Sequence, residues 1–150
     1  MTLEKSSAIL KPIGFVRNGI KDSTSHDWKN VISEIVIDER LTEALDNLKE
    51  FSHLIILYWM GRAKREGTPA KIRMQHNPNK PLVGFFATRS PDRPNPVGKT
   101  TVKLLERRGN VLKVKGLDAF EGTSVLDIKP YIPGYDSAVR AKVPGWVRTK

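Results

Sequence analysis

Apolar positions along the chain come in short runs separated by polar, turn-forming stretches, not in long amphipathic blocks. "KPIGFVR" (Lys11–Arg17) predicts a first strand, and the polar "NGIKDSTSHDWKN" behind it predicts a loop. "VISEIVI" (Val31–Ile37) alternates, with Val31, Ile35 and Ile37 on one face, and predicts a second strand. Asp38 is suited to start a short helix in which Leu41, Ala44, Leu45 and Leu48 recur at helical spacing, ending near Phe51. "HLIILYWM" (His53–Met60) is the most apolar run and is rich in β-formers, which predicts a central strand buried on both faces. Gly61 to Pro81 reads as long, basic and irregular. Short strands follow at Leu82–Ala87, Val97–Arg107, Val111–Gly116 and around Val125–Ile128, with "RRGN" (Arg107–Asn110) as a tight hairpin turn. Many short strands beside one short helix predict a mainly β fold, a small barrel or strongly curved sheet with irregular loops. No repeat, low-complexity tract or linker divides the chain, so residues 1–150 read as one domain.

Composition narrows the partners. A hydrophobic content of 39% supports a globular chain rather than a disordered one. No run of about 18 apolar residues is present to span a membrane as a helix, and the first residues lack the apolar core of a signal peptide. With no cysteine, disulfides, thiolate zinc sites and cysteine nucleophiles are excluded. A soluble, cytoplasmic protein is the expectation. Lys and Arg number 26 against 16 Asp and Glu, for a formal charge of +10. Such an excess favours a polyanionic partner, nucleic acid foremost, over the alternative of a generally basic soluble surface.

Familiar enzyme signatures are absent: no GxGxxG, P-loop, GxSxG or paired-histidine motif occurs. His26, His53 and His76 fit no metal-ligand spacing, and no metal is expected. His53, inside an apolar run, reads as structural, as do Tyr58, Trp59 and Phe85, whereas Trp28 is the candidate exposed aromatic. The strongest local signal is "FFATRSPDRPNPVGKTT" (residues 85–101). Pro91, Pro94 and Pro96 fix φ and remove backbone donors, so the segment is neither an interior strand nor a helix. Arg89 and Arg93 offer permanently charged forks for carboxylate or phosphate, Ser90 and Asn95 hydrogen-bond in both directions, and Gly98 admits a close neighbour. On these residues alone the loop is either a preorganised binding wall or a stiff corner with solvated arginines. A second cluster, "LDAFEGTSVLDIKPY" (Leu117–Tyr131), holds the polar turn Glu121 to Ser124 and the alternating Asp127 and Lys129. It is either a ligand-gripping turn or a hairpin turn beside a surface ion pair. Between Gly61 and Lys80, Arg62, Lys64, Arg65, Lys71, Arg73 and Lys80 face one acid, Glu66, and the tail adds Arg140, Lys142, Arg148 and Lys150. A patch of this kind holds phosphates or is simply solvated.

"FFATRSPDRPNPVG", "EGTSVLDIKPY" and "FSHLIILYW", with "PIGFVR" near the start, closely resemble the signature segments of the TsaA-like family, also called the TrmO tRNA methyltransferase family. The resemblance runs from about Pro12 to Asp136. It implies a small β-barrel, a homodimer, that binds S-adenosylmethionine without a Rossmann domain and methylates N6 of threonylcarbamoyl-adenosine beside the anticodon of tRNA. Carried over motif by motif, it places Gly61, Arg62, Arg89, Lys99 and the turn Glu121, Gly122, Thr123 and Ser124 at the cofactor. The basic residues Lys64, Arg65, Lys71 and Arg73 are the expected tRNA contacts. Three departures stand out: the Pro-Arg-Gln run common after the first strand is missing, Met60-Gly61 replaces Phe-His, and Ser124 replaces a proline. No catalytic residue is assigned; Asp127 is a candidate proton acceptor by chemistry only. The alternatives are a non-catalytic nucleic-acid-binding barrel and a methyltransferase of the same scaffold with another substrate.

Overall fold

A computed structural model describes residues 6–22, 26–62 and 69–147. Lys64, Arg65, Glu66, Arg148 and Lys150, all expected basic-patch or tail residues, lie outside the described residues. The strands are β1 (Gly14–Arg17), β2 (Ile32–Ile37), β3 (His53–Trp59), β4 (Lys71–Arg73), β5 (Leu82–Gly84), β6 (Val97–Arg108), β7 (Val111–Lys115) and β8 (Ser124–Pro130). Six of them close into an antiparallel barrel in the order β1-β2-β7-β6-β3-β8, while β4 and β5 pair as a separate ribbon. The expected barrel is therefore present, and the segment read as irregular before Pro81 contains one strand of that ribbon.

Alternation fills the barrel. Val16, Ile35, Ile37, Leu54, Ile56, Val102, Leu112, Val114 and Val125 point inward, joined by Leu117 from the connection between β7 and β8. Each such side chain contributes about 1.5–3 kcal/mol by leaving water. Ser33 is the polar exception inside, and it accepts a 3.0 Å hydrogen bond from Asn18 Nδ2. β3 is buried over Leu54, Ile55, Ile56 and Tyr58, as its unbroken apolar run predicts. His53 departs from the structural reading: it lies exposed at the strand's edge, with Nδ1 2.7 Å from Ser52 Oγ. At Gly14 a Cβ would meet the Val36 carbonyl oxygen at 2.3 Å, so the close approach of β1 and β2 requires glycine there.

The predicted α-helix after Asp38 is instead two 3₁₀ segments, Glu39–Leu45 and Leu48–Glu50. Asp38 caps the first by accepting from the Arg40 N–H, and Asn47 at φ 65° breaks the run between them. Of the spaced apolar residues only Leu45 is fully buried, too narrow a face to sustain an α-helix by packing. One α-helical turn, Pro133–Asp136, follows β8.

Candidate functional site

One end of the barrel carries a cavity of about 590 Å³. Its walls come from the end of β3 (Tyr58) and the residues after it (Met60, Gly61, Arg62), the start of β6 (Val97, Gly98, Lys99), the Pro-rich loop (Arg89, Pro91, Asp92, Arg93), His76, Trp28, and the β7–β8 connection (Asp118, Ala119, Phe120, Thr123). Segments far apart in sequence meet here because β3 and β6 pair along seven residues, which sets Tyr58 opposite Gly98 and Trp59 opposite Val97. A Cβ on Gly98 would lie 2.4 Å from the Tyr58 ring, so the glycine makes room for the ring across the strand. On the other side of β3, the register with β8 slips between Leu57 and Tyr58, an irregularity of the kind that redirects side chains near sites.

The Pro-rich loop satisfies its own backbone. Thr88 Oγ1 donates to the Phe85 carbonyl at 2.8 Å, the Asp92 N–H donates to Ser90 Oγ at 3.1 Å, and the Met60 N–H reaches the Pro96 carbonyl at 2.8 Å. Arg93 Nη2 donates to the carbonyls of Phe85 (3.2 Å) and Thr88 (3.1 Å), which makes it the loop's internal tie. Arg89 is exposed to the cavity and makes no hydrogen bond or ion pair among the described residues. Asp92 lies 3.3 Å from His76 Nε2. The two arginines of one motif therefore have different employment: one holds the wall and one faces the cavity.

The turn predicted at Glu121 to Ser124 divides as well. Glu121 Oε2 accepts from the backbone N–H groups of Asn18 (2.5 Å) and Gly19 (2.6 Å), and these two donors, Gly19 first, hold its carboxyl below the usual value. Thr123 lines the cavity, whereas Glu121, Gly122 and Ser124 are outside its lining. Arg62 lines it too, with its guanidinium 4.6 Å above the Phe120 ring and Nη1 donating to the Lys21 carbonyl. Gly61 and Lys99 are also in the wall, and Lys99 Nζ stands 3.3 Å from Thr101 Oγ1. Of the residues carried over for the cofactor, Gly61, Arg62, Arg89, Lys99 and Thr123 are thus brought together. Lys71 and Arg73 sit on β4 and are not among the residues of the cavity wall, and Arg73 Nη1 donates to the Lys80 carbonyl at 2.5 Å.

Asp127 is not in the cavity wall: it forms a 2.8 Å ion pair with Lys129 on β8, the surface pairing its alternation allowed. A different carboxylate is there. Asp118 Oδ1 accepts from the Tyr58 hydroxyl (2.9 Å) and from Thr100 Oγ1 (2.5 Å), and those two hydroxyls are 3.0 Å apart. Burial first, then the Asp118 charge, pushes the Tyr58 phenol well above its ordinary range, so it stays a donor. The sequence separations of 60 and 18 residues hide this cluster from any local reading; the only signal was a charged residue between apolar Leu117 and Ala119. Trp28, expected to be exposed, is half-buried in the wall, edge-on to Phe120 at 5.7 Å. Among the described residues no group of three or more His, Cys, Asp or Glu is placed to hold a metal ion, and no helix is long and apolar enough to cross a membrane.

A closed β-barrel whose open end carries a half-apolar, cation-rimmed cleft is a small-molecule-binding barrel without a Rossmann unit. The chain belongs to the family described as the tRNA-methyltransferase O N-terminal domain, whose model matches residues 22–137. A probable S-adenosyl-L-methionine-binding protein of Archaeoglobus fulgidus is 42% identical over 144 residues, covering 91% of this chain and 37% of its own. A second protein of that organism, an S-adenosyl-L-methionine-binding protein, is 40% identical, covering 85% of this chain and 92% of its own. A crystal structure of TrmO from Pseudomonas aeruginosa superposes with a TM-score of 0.75 at 27% identity, over 94% of this chain and 62% of that one. This chain thus spans little more than a third of the first relative's length and less than two thirds of the solved neighbour's.

Proposed function

We propose that this protein is an S-adenosylmethionine-dependent methyltransferase that modifies adenine in tRNA. The observation that carries the reading is the cavity itself, with Arg89, unpaired among the described residues, in its wall on a loop made stiff by its own hydrogen bonds. Its volume falls in the range of small-molecule sites, about 300–1,000 Å³. Its lining also suits the cofactor's chemistry. Met60, Val97 and Phe120 supply an apolar wall for a purine, and Arg89 and Lys99 supply charge for a carboxylate. Arg62, tied to Phe120 and the Lys21 carbonyl, steadies that wall, and the loop after β1 contributes Trp28. When bound, the cofactor supplies a methyl group already activated on a sulfonium, which leaves the protein the work of alignment and of exposing or excluding water.

Support for tRNA comes from the net charge of +10 and from relatives. The human protein named tRNA (adenine(37)-N6)-methyltransferase is 40% identical over 101 residues, which is 67% of this chain and 23% of its own. Within that reading we assign N6 of threonylcarbamoyl-adenosine as the acceptor, Lys71 and Arg73, with Lys64 and Arg65, as phosphate contacts, and a cytoplasmic homodimer as the working form. Nucleoside mass spectrometry of tRNA incubated with protein and cofactor tests it. The expected product is methylated threonylcarbamoyl-adenosine. An unmodified nucleoside despite measurable cofactor binding rejects this substrate, and methylation at another base relocates the acceptor.

A further inference from the structure

Asp92 and Asp118 line the cavity, and Glu121 lies just outside its wall; their partners separate the three carboxylates. Glu121 is taken by two backbone N–H groups and Asp92 faces the His76 ring. Asp118 meets no cation among the described residues, although Arg62, Arg89, Arg93 and Lys99 share its cavity. Its Oδ1 is saturated by the hydroxyls of Tyr58 and Thr100, and its Oδ2 has no hydrogen-bond partner among the described residues. The two donors come from adjacent strands, β3 and β6, which pair along seven residues, so they hold the carboxylate against hydrogen-bonded sheet rather than loop. The residue is nonetheless exposed, which gives a proton a route to water.

We propose that Asp118 is the proton acceptor for the nitrogen that receives the methyl group, with Tyr58 and Thr100 as its positioning residues. The assignment rests on the methyl-transfer reading above. As the nitrogen lone pair forms the new N–C bond, the carbon–sulfur bond breaks and sulfur keeps its electron pair. The nitrogen's proton passes to Asp118 Oδ2 and from there to water. Tyr58 does not compete for that proton, because its buried phenol is already protonated. A general base in this position accelerates transfer by about 10²–10⁴-fold.

The test is Asp118→Asn, which keeps an acceptor for the two hydroxyls and removes the basic oxygen. Two quantities are read on the whole chain: S-adenosylmethionine affinity by calorimetry, and single-turnover methyl transfer to tRNA. The expected result is a rate lowered by about 10²–10⁴-fold with cofactor affinity essentially retained. An unchanged rate overturns the assignment, and so does a rate loss matched by an equal loss of cofactor affinity, which makes Asp118 a cofactor ligand. Thr100→Val keeps the test decisive if Asp118→Asn does not fold. It removes one of the two hydroxyls and leaves Asp118 in place, and it is expected to lower kcat about tenfold, with KM for tRNA and cofactor affinity unchanged and recovery in Thr100→Ser. A kcat equal to the parent's overturns the positioning role. If the parent itself transfers no methyl group, the methyl-transfer reading fails first; an active parent beside an equally active Asp118→Asn rejects only Asp118.

Discussion

The loop from Thr88 to Gly98 and the turn from Glu121 to Ser124 are both polar, both charged, and both contribute to the same cavity, yet their charges are used in opposite ways. In the loop, Thr88, Ser90 and Arg93 satisfy the backbone, and Arg89 is left without a partner among the described residues. In the turn, Glu121 binds the backbone of the segment after β1, and the cavity receives Thr123. The first region stiffens itself so that one charge stays available. The second gives up its charge to fasten β1's following loop to the β7–β8 connection. A charged motif is thus a candidate ligand site only after its internal obligations are counted.

Substitutions can break or sharpen this contrast. The largest effect is expected from Arg89→Ala. Losing a charge-assisted hydrogen bond of about 1.5–3 kcal/mol should weaken S-adenosylmethionine by about 10–100-fold, measured calorimetrically, with the melting temperature little changed. A melting temperature several degrees lower at unchanged affinity would place Arg89 with Arg93, as a structural tie.

The glycines of the two regions give a paired test. Gly98→Ala drives a Cβ into the Tyr58 ring and should cost about 1–3 kcal/mol in denaturant unfolding, with cofactor affinity lost alongside. Gly122, at φ +78° with nothing near its missing Cβ, should cost about 1 kcal/mol as alanine through backbone strain alone, with affinity retained. Equal losses of affinity in both variants would erase the distinction between the regions.

Glu121→Gln should lower the melting temperature by a few degrees and leave cofactor affinity nearly unchanged. Because folding lowers the Glu121 pKa, its contribution is present above the ordinary value of 4.5 and is lost as pH falls through the folded value. The acid limb of stability should therefore be shallower in Glu121→Gln than in the parent, seen in melts stepped down through that window. Superimposable acid limbs would mean the carboxylate clamp contributes nothing. The smallest effect belongs to Lys71→Ala, outside the cavity wall. It should weaken tRNA binding a few-fold and reduce the salt slope by about one, with cofactor affinity intact.

How far the sequence reaches follows the same physical line. Strand positions were legible because alternation and β-branched runs are local signals: β2, β3, β6 and β7 fall within a residue or so of their predicted ends. Barrel closure was legible as a class but not as a strand order, since the β1–β8 pairing joins Gly14 to Val125. The helix after Asp38 failed because spacing of Leu41, Ala44, Leu45 and Leu48 says nothing of whether a surface exists to bury them; Leu41 remains exposed. At the site, Arg89 and Lys99 were visible as motif residues. Arg93's inward use, Glu121's clamp and the cluster of Tyr58, Thr100 and Asp118 depend on contacts between distant segments, which no spacing encodes.

The most direct test of the central claim is a calorimetric titration of S-adenosylmethionine into the parent and Arg89→Ala, side by side. Saturable one-site binding is expected for the parent, weakened by about 10–100-fold in the variant. No binding by the parent at about millimolar cofactor, or equal affinities in the two proteins, would contradict it.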